Sequence, residues 1–358
     1  MKHYKKFADC FLVKGYVQNL IYDISRKDAF AIDYKTHSVL SRDIIPENLL
    51  LRLPKSMVDE LLEKEVIFPC RASDAKMFPS IKTDWISPFQ IQSCIVDIDK
   101  HSSFDFFQVA NQLSDLGCRT LQLRFVPCES ESKVLDVLSL LSGSNILSLE
   151  LIVNYGTVNV EDLTFNFRML TTITLYGAEK SSFTNINGCV VFITTESYYG
   201  TEQCGVVEAG YFVCNRELYF ESLTCNSCLN RKISIDTQGN IKNCPSCTQS
   251  FRNIKNTTLK QAFEHPDFKK LWSIAKDQVD VCKDCEFRHM CTDCRVYIKD
   301  PENIYSQPSK CTYNPYIAKW QGEEGYVPVE ECGTYSRETG FVVNHERVAE
   351  LNAQIWGE

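Results

Sequence analysis

The 358-residue sequence has no apolar run near the ~18 residues needed to cross a bilayer, so it offers no membrane-spanning helix. It has no excess of positive charge either: 38 Lys and Arg stand against 46 Asp and Glu, a net charge of −8. Gripping nucleic acid or an anionic membrane requires a basic face that displaces counterions, so neither partner is expected. No glycine-rich phosphate loop and no Gly-x-Ser-x-Gly elbow occurs, which leaves ATP binding and serine hydrolysis without a seat. Lys2, Lys5 and Lys6 imitate the start of a signal peptide, but Asp9 and Lys14 interrupt the apolar stretch that should follow. The expected compartment is the cytoplasm. Disorder is excluded by 44% apolar and 23% charged residues, and the length suits two or three domains at ~150 residues each.

What the chain has in quantity is cysteine. Of 18, ten lie between Cys225 and Cys332. Clustered thiols in a reducing compartment point to metal ligation or redox chemistry rather than to a disulfide scaffold.

The N-terminal part reads as short strands and a helix. Cys10–Val13 is apolar, and the stretch from Gln18 to Ile24 runs to a polar turn at Ser25–Asp28. Ala29–Ile32 then completes a hairpin. Pro54 opens a helix with Met57, Val58, Leu61 and Leu62 at helical spacing, and a strand follows at Val66–Phe68. From residue 93 to 195 strands and helices alternate: strands at 94–98, 120–126, 147–153, 172–175 and 189–194, helices at 106–116, 134–141 and 162–169. This alternation predicts an α/β fold with a parallel sheet. His101 and Cys128, in the loops after the first two strands, have no partner in sequence and read as exposed loop residues.

The specific signal begins at Cys225. Cys225-x2-Cys228 leads into a strand at 231–235, a turn with Gly239, and Cys244-x2-Cys247. Helical segments are expected at 259–264 and 266–275. Then come Cys282-x2-Cys285-x5-Cys291-x2-Cys294 and, after a loop, Cys311. Paired Cys-x2-Cys motifs fit a zinc ribbon, and thiolates suit iron–sulfur clusters equally, so spacing alone leaves both open. A last helix is expected at 346–355, capped by Asn344.

The order Cys228-x10-Gly239-x4-Cys244, Cys282-x2-Cys285-x5-Cys291-x2-Cys294, Cys311 resembles the SPASM domain, the auxiliary iron–sulfur module of radical S-adenosylmethionine enzymes that modify peptides. The family has three residues before its sixth cysteine, whereas this chain has two, Thr292 and Asp293. The resemblance implies two [4Fe–4S] clusters. One would take Cys225, Cys228, Cys244 and Cys294, with Cys247 able to replace Cys225. The other would take Cys282, Cys285, Cys291 and Cys311. Phe268–Trp272, Cys282–Arg288, Cys294-Arg295 and Cys311–Tyr316 are similar to the peptide maturases of grasp-with-SPASM cassettes, which act with an ATP-grasp ligase and a short precursor peptide in graspetide-type biosynthesis. Glu286 and Arg288 would be partners of a cluster or a solvated loop pair.

Residues 1–75 resemble, by pattern, the winged-helix peptide-recognition module of such enzymes. Their leader peptide would add as a strand at Leu20, Ile21, Tyr22, Asp23 and Ile24. Residues 76–215 resemble a radical S-adenosylmethionine partial barrel that lacks the Cys-x3-Cys-x2-Cys triple, which occurs nowhere in the first 224 residues. S-adenosylmethionine is therefore not expected as a cofactor, since that chemistry belongs to the open cluster. Residues 216–325 would be the SPASM domain, and 326–358 a tail with a helix. The expectation is an accessory protein that binds precursor peptide, ligase or both. The alternatives are an iron–sulfur redox or noncanonical radical enzyme and a zinc-stabilised scaffold.

Overall fold

A computed structural model describes residues 2–127, 130–197 and 204–357; Cys128 lies outside the described residues. The chain forms two compact units. Unit 1 is Met1–Trp85, Gly205–Ser227 and Ile274–Glu358, and unit 2 is Ile86–Cys204 and Cys228–Ser273. The segment 216–325 is thus divided between the two.

Unit 1 begins with β1 (His3–Lys6), β2 (Cys10–Lys14), β3 (Asn19–Asp23) and β4 (Asp28–Ile32). Then follow α1 (Tyr34–Leu40), β5 (Ile45–Pro46), α2 (Glu47–Leu50), α3 (Lys55–Glu63) and β6 (Ile67–Cys70). Strands β2, β3 and β4 form an antiparallel meander, and β1 pairs with β5 and β6 in a second small sheet. Asp33 caps α1 by accepting the Thr36 N–H at 2.6 Å. Pro54 precedes α3, where its missing N–H costs nothing. The core joins Ile21, Ile32, Leu40, Ile45, Leu61 and Ile67. Leu61 is fully buried, so its truncation to alanine costs on the order of 2–5 kcal/mol.

This arrangement corrects the expected peptide site. Leu20, Ile21, Tyr22 and Asp23 lie on β3, the middle strand, which pairs with β2 on one side and β4 on the other. All four are buried, and Ile24 donates its N–H to Asp9 O at 3.2 Å. No backbone edge is left there for an incoming strand. The outer strands of this sheet are β2 and β4.

Unit 2 opens with β7 (Ser93–Ile98), α4 (Phe106–Asp115), β8 (Thr120–Phe125), α5 (Glu131–Leu140), β9 (Ser148–Asn154), α6 (Val160–Asn166), β10 (Leu170–Tyr176), β11 (Ser182–Ile186) and β12 (Cys189–Thr194). The chain passes through α7 (Arg216–Ser222) of unit 1, then returns with β13 (Lys232–Ile235), β14 (Ile241–Lys242) and α8 (Leu259–Phe263). The sheet order is β11-β12-β10-β9-β8-β7-β13-β14. The pairings from β12 through to β13 are parallel, with antiparallel strands at both margins. The fold is mixed α/β with one large mixed sheet. Asp105 caps α4, and Gly117, at φ +77°, follows its last turn.

One face of this sheet presents Val96, Leu123, Leu151 and Ile173 to a core with Val109, Leu113, Val134 and Leu138 of the helices. The register places Asp97, Arg124, Ile152 and Thr174 side by side on the other face. His101 is exposed. The helix expected at 266–275 is not α-helical: Pro266–Lys269 winds as a single 3-10 turn. That tighter turn sets Phe268 into the core, while Trp272 Nε1 donates to Asn243 Oδ1 at 3.1 Å.

The last part of unit 1 carries β15 (Tyr313–Asn314), β16 (Lys319–Trp320), β17 (Gly333–Ser336), β18 (Gly340–Val343) and α9 (His345–Trp356). Asn344 caps α9 by accepting the Arg347 N–H at 3.0 Å. Val348 and Leu351 of α9 pack with Tyr316, Ile317, Val329 and Phe341, so this helix docks on its own unit. Among the described residues no helix is long and apolar enough to cross a membrane.

Candidate metal centres

Cys282, Cys285, Cys291 and Cys311 of unit 1 line a single small cavity of about 20 Å³. Local turns aim them there. The Cys285 N–H closes a turn onto Cys282 O at 3.0 Å, and the Cys291 N–H closes another onto Phe287 O at 3.0 Å. Val281, just before Cys282, holds φ +67°, a strain of roughly 1–3 kcal/mol for a β-branched residue. Its burial beside Tyr316 and Ile317 holds it there. Cys311 is carried by a parallel bridge to Val207. Phe212, Phe287, Tyr313 and Trp320 complete the largely aromatic wall.

A cation stands inside this wall. Lys276 is 4% exposed, and its Nζ donates to Cys291 Sγ at 3.0 Å. Burial acts to lower the Lys276 pKa, but the charges of Cys291, Cys282 and Asp293 outweigh it and hold the ammonium well above its ordinary value. Burial pushes the Cys282 thiol up to about 12, and pushes Cys285 and Cys311 up as well. Such thiols keep their protons until a metal displaces them. Four soft ligands around one cavity, with a buried ammonium to balance their charge, suit an iron–sulfur cluster.

The Cys291–Cys294 turn rests on a buried polar network. Asp293 accepts from Arg295 Nη2 at 2.6 Å and from Asn226 Nδ2 at 2.7 Å, and its N–H donates to Ser227 Oγ at 3.2 Å. Removing one partner of such a pair costs on the order of 3–5 kcal/mol. Glu286 is fully buried rather than solvated. Its Oε1 accepts from Gln18 Nε2 at 2.6 Å and from the Tyr313 hydroxyl. Burial raises its pKa against those hydrogen bonds. Arg288 donates to Asp277 at 2.6 Å and to the carbonyls of Lys14 and Cys285 at 2.7 and 2.9 Å.

The other expected ligand set is split: Cys225 and Cys294 belong to unit 1, Cys228 and Cys244 to unit 2. In unit 1, the Cys294 sulfur accepts the Tyr297 N–H at 3.4 Å, and Cys225 donates its N–H to Glu221 O at 2.8 Å. In unit 2, Cys228 precedes β13 and Cys244 follows β14, so the hairpin holds both at one end. Lys232 Nζ donates to Cys228 Sγ at 3.5 Å. The Cys244 thiol hydrogen-bonds that of Cys247, which with burial raises its pKa. Arg124, 3% exposed, makes a two-pronged pair with Asp97 at 2.5 and 2.7 Å.

Among the described residues, no three His, Cys, Asp or Glu side chains converge as on a single metal ion. Sequence reasoning missed the two lysines and Arg124. Lys232 stands four residues after Cys228, a faint signal; Lys276 has none, because only the tertiary fold brings it to Cys291. The chain matches no protein-family model and no curated protein.

Proposed function

We propose that this chain is an accessory protein of ribosomal peptide maturation, built on an iron–sulfur scaffold. It would bind a short precursor peptide, an ATP-grasp ligase or both, without canonical radical S-adenosylmethionine chemistry. The observation that carries the metal part is the placement of Cys282, Cys285, Cys291 and Cys311 around one cavity with Lys276 3.0 Å from Cys291 Sγ. These four would hold one [4Fe–4S] cluster. The second would use Cys228 and Cys244 with two further thiolates, for which the resemblance implies Cys225 and Cys294. Iron is favoured over zinc by the division of eight thiols into two sets of four, as the resemblance implies. The redox-enzyme alternative uses the same clusters.

In this reading unit 1 supplies peptide recognition through a winged-helix-like arrangement of the β2–β4 sheet and its helices, and unit 2 is a degenerate radical S-adenosylmethionine fold. The peptide site moves from β3 to the outer edge of β4. A groove of about 660 Å³ runs beside it, lined by Ala31, Ile32, Tyr34, Met57 and Trp356. An added strand would pair along β4 beyond Asp28, whose carbonyl already accepts from Cys214 Sγ, and the groove would take its side chains. Titration of a labelled leader peptide into the intact protein tests this: binding that Met57→Asp weakens tenfold or more supports it, and undiminished binding refutes the β4 site.

A further inference from the structure

Unit 1 carries a positively charged pocket apart from the cysteine cavity and from the β4 groove. Its volume is about 490 Å³, within the range that encloses a small molecule. β1 pairs with β5, Tyr4 opposite Ile45, and this register returns the turn after α1 to the end of β1. Lys5, Lys6 and Arg42 therefore share one lining. Lys5 is 7% exposed, and its Nζ donates to Asp43 Oδ1 at 2.7 Å. Lys6 Nζ donates to the carbonyls of Cys10 and, at 3.4 Å, Phe7. An ammonium has more N–H donors than these bonds use, so both lysines keep donors to spare. The Arg42 guanidinium has no hydrogen-bond or ion-pair partner among the described residues. Asp43 is the one carboxylate among the described lining residues, so three fixed cations face one anion in a chain whose net charge is −8. Burial, and to a lesser degree the neighbouring Lys5, lower the Lys6 pKa despite Cys10 and Asp9, which marks an ammonium short of counter-charge. Much of the remaining lining is apolar, with Phe11 and Phe78 its aromatic members. Phe78 packs edge-on against Phe68 at 4.9 Å yet stays 43% exposed, so ring surface is left open.

We propose that this pocket binds a small phosphate monoester with an aromatic body, its phosphate held by Lys5, Lys6 and Arg42 and its body by Phe11 and Phe78. A phosphate monoester carries nearly two negative charges at neutral pH, which matches the three cations less the one carboxylate of the lining. A carboxylate ligand would bring only one. The Arg42 guanidinium is a planar fork that bonds phosphate oxygens in pairs, and the lysines add point charges. The aromatic rings give the organic part of the ester a surface on which to pack. A free phosphate ion shares the charge but leaves that surface bare, so tighter binding of the ester is the mark of the whole pocket. The site is independent of the iron–sulfur reading, since none of its residues is a cysteine.

The test is calorimetric titration of the full-length protein with phenyl phosphate, inorganic phosphate and phenylacetate. Phenyl phosphate should bind tightest of the three. Arg42 is exposed, so Arg42→Gln leaves the fold intact. It should weaken phenyl phosphate about tenfold or more, the scale of one lost hydrogen bond to a charged group. Arg52→Gln, which removes an exposed arginine outside the pocket, should leave the affinity unchanged. Phe78→Ala should narrow the gap between phenyl phosphate and inorganic phosphate. No binding of phenyl phosphate to the parent at millimolar concentration overturns the proposal. So does phenylacetate or inorganic phosphate binding as tightly as phenyl phosphate, or an equal loss in Arg42→Gln and Arg52→Gln.

Discussion

Lys276 holds its ammonium 3.0 Å from the sulfur of Cys291 in a site almost closed to water. A fixed positive charge at that distance favours the reduced, more negative state of a cluster bound to Cys291. Lys276→Met should therefore lower the reduction potential of one of two centres by on the order of 100 mV, the scale of one charge at an effective dielectric near 20. Spectroelectrochemical titration of both proteins reads this. Unchanged potentials would show that Cys291 carries no cluster, or that the lysine is only structural.

Cys285→Ala should remove about half of the iron, because four of the expected eight thiolates belong to its cavity. Metal binding and folding are coupled, so proteolysis should then open the 274–358 segment of unit 1 first. Full iron content in this variant would remove Cys285 from the ligand set.

Glu286 gives a pH signature. Its carboxyl is buried, Oε2 has no hydrogen-bond partner among the described residues, and its pKa is raised, chiefly by burial. The folded state thus favours the protonated acid. The stability this group contributes is fully present below the unfolded pKa and is lost as pH rises through the folded value. Glu286→Gln mimics the neutral form. It should melt above the parent at pH 7, and the gain should shrink as the pH is lowered toward 4. A variant less stable at pH 7 than at pH 4, relative to the parent, would show that the carboxylate is held ionised.

Much of unit 2 is legible from residue pattern, and the reasons are local. Short runs rich in apolar and β-branched residues at 94–98, 120–126 and 172–175 mark strands, and Gly117 marks a helix end. The antiparallel margin β11 is not legible, because Ser182–Asn185 are exposed and carry no alternation. In unit 1 the strand at 19–23 is legible, but its place in the sheet is not. Periodicity finds a strand without naming its neighbours, and only the pairing of β3 with both β2 and β4 shows that it has no edge. The same limit governs the metal sites. Cys282, Cys285 and Cys291 announce themselves by spacing, whereas Lys276 and Arg124 are brought to their partners Cys291 and Asp97 only by the fold.

The lack of a Cys-x3-Cys-x2-Cys triple in the first 224 residues bears on reactivity. Incubation of the reconstituted protein with dithionite and S-adenosylmethionine should yield no 5′-deoxyadenosine above a protein-free control. Sustained, protein-dependent production would promote the enzyme reading over the accessory one.

The central claim, that the cysteines hold two [4Fe–4S] clusters, is tested most directly by anaerobic purification followed by iron, sulfide and zinc analysis with an absorption spectrum. The account predicts a brown protein with about eight irons and eight sulfides per chain. A colourless, zinc-loaded protein with negligible sulfide would contradict it.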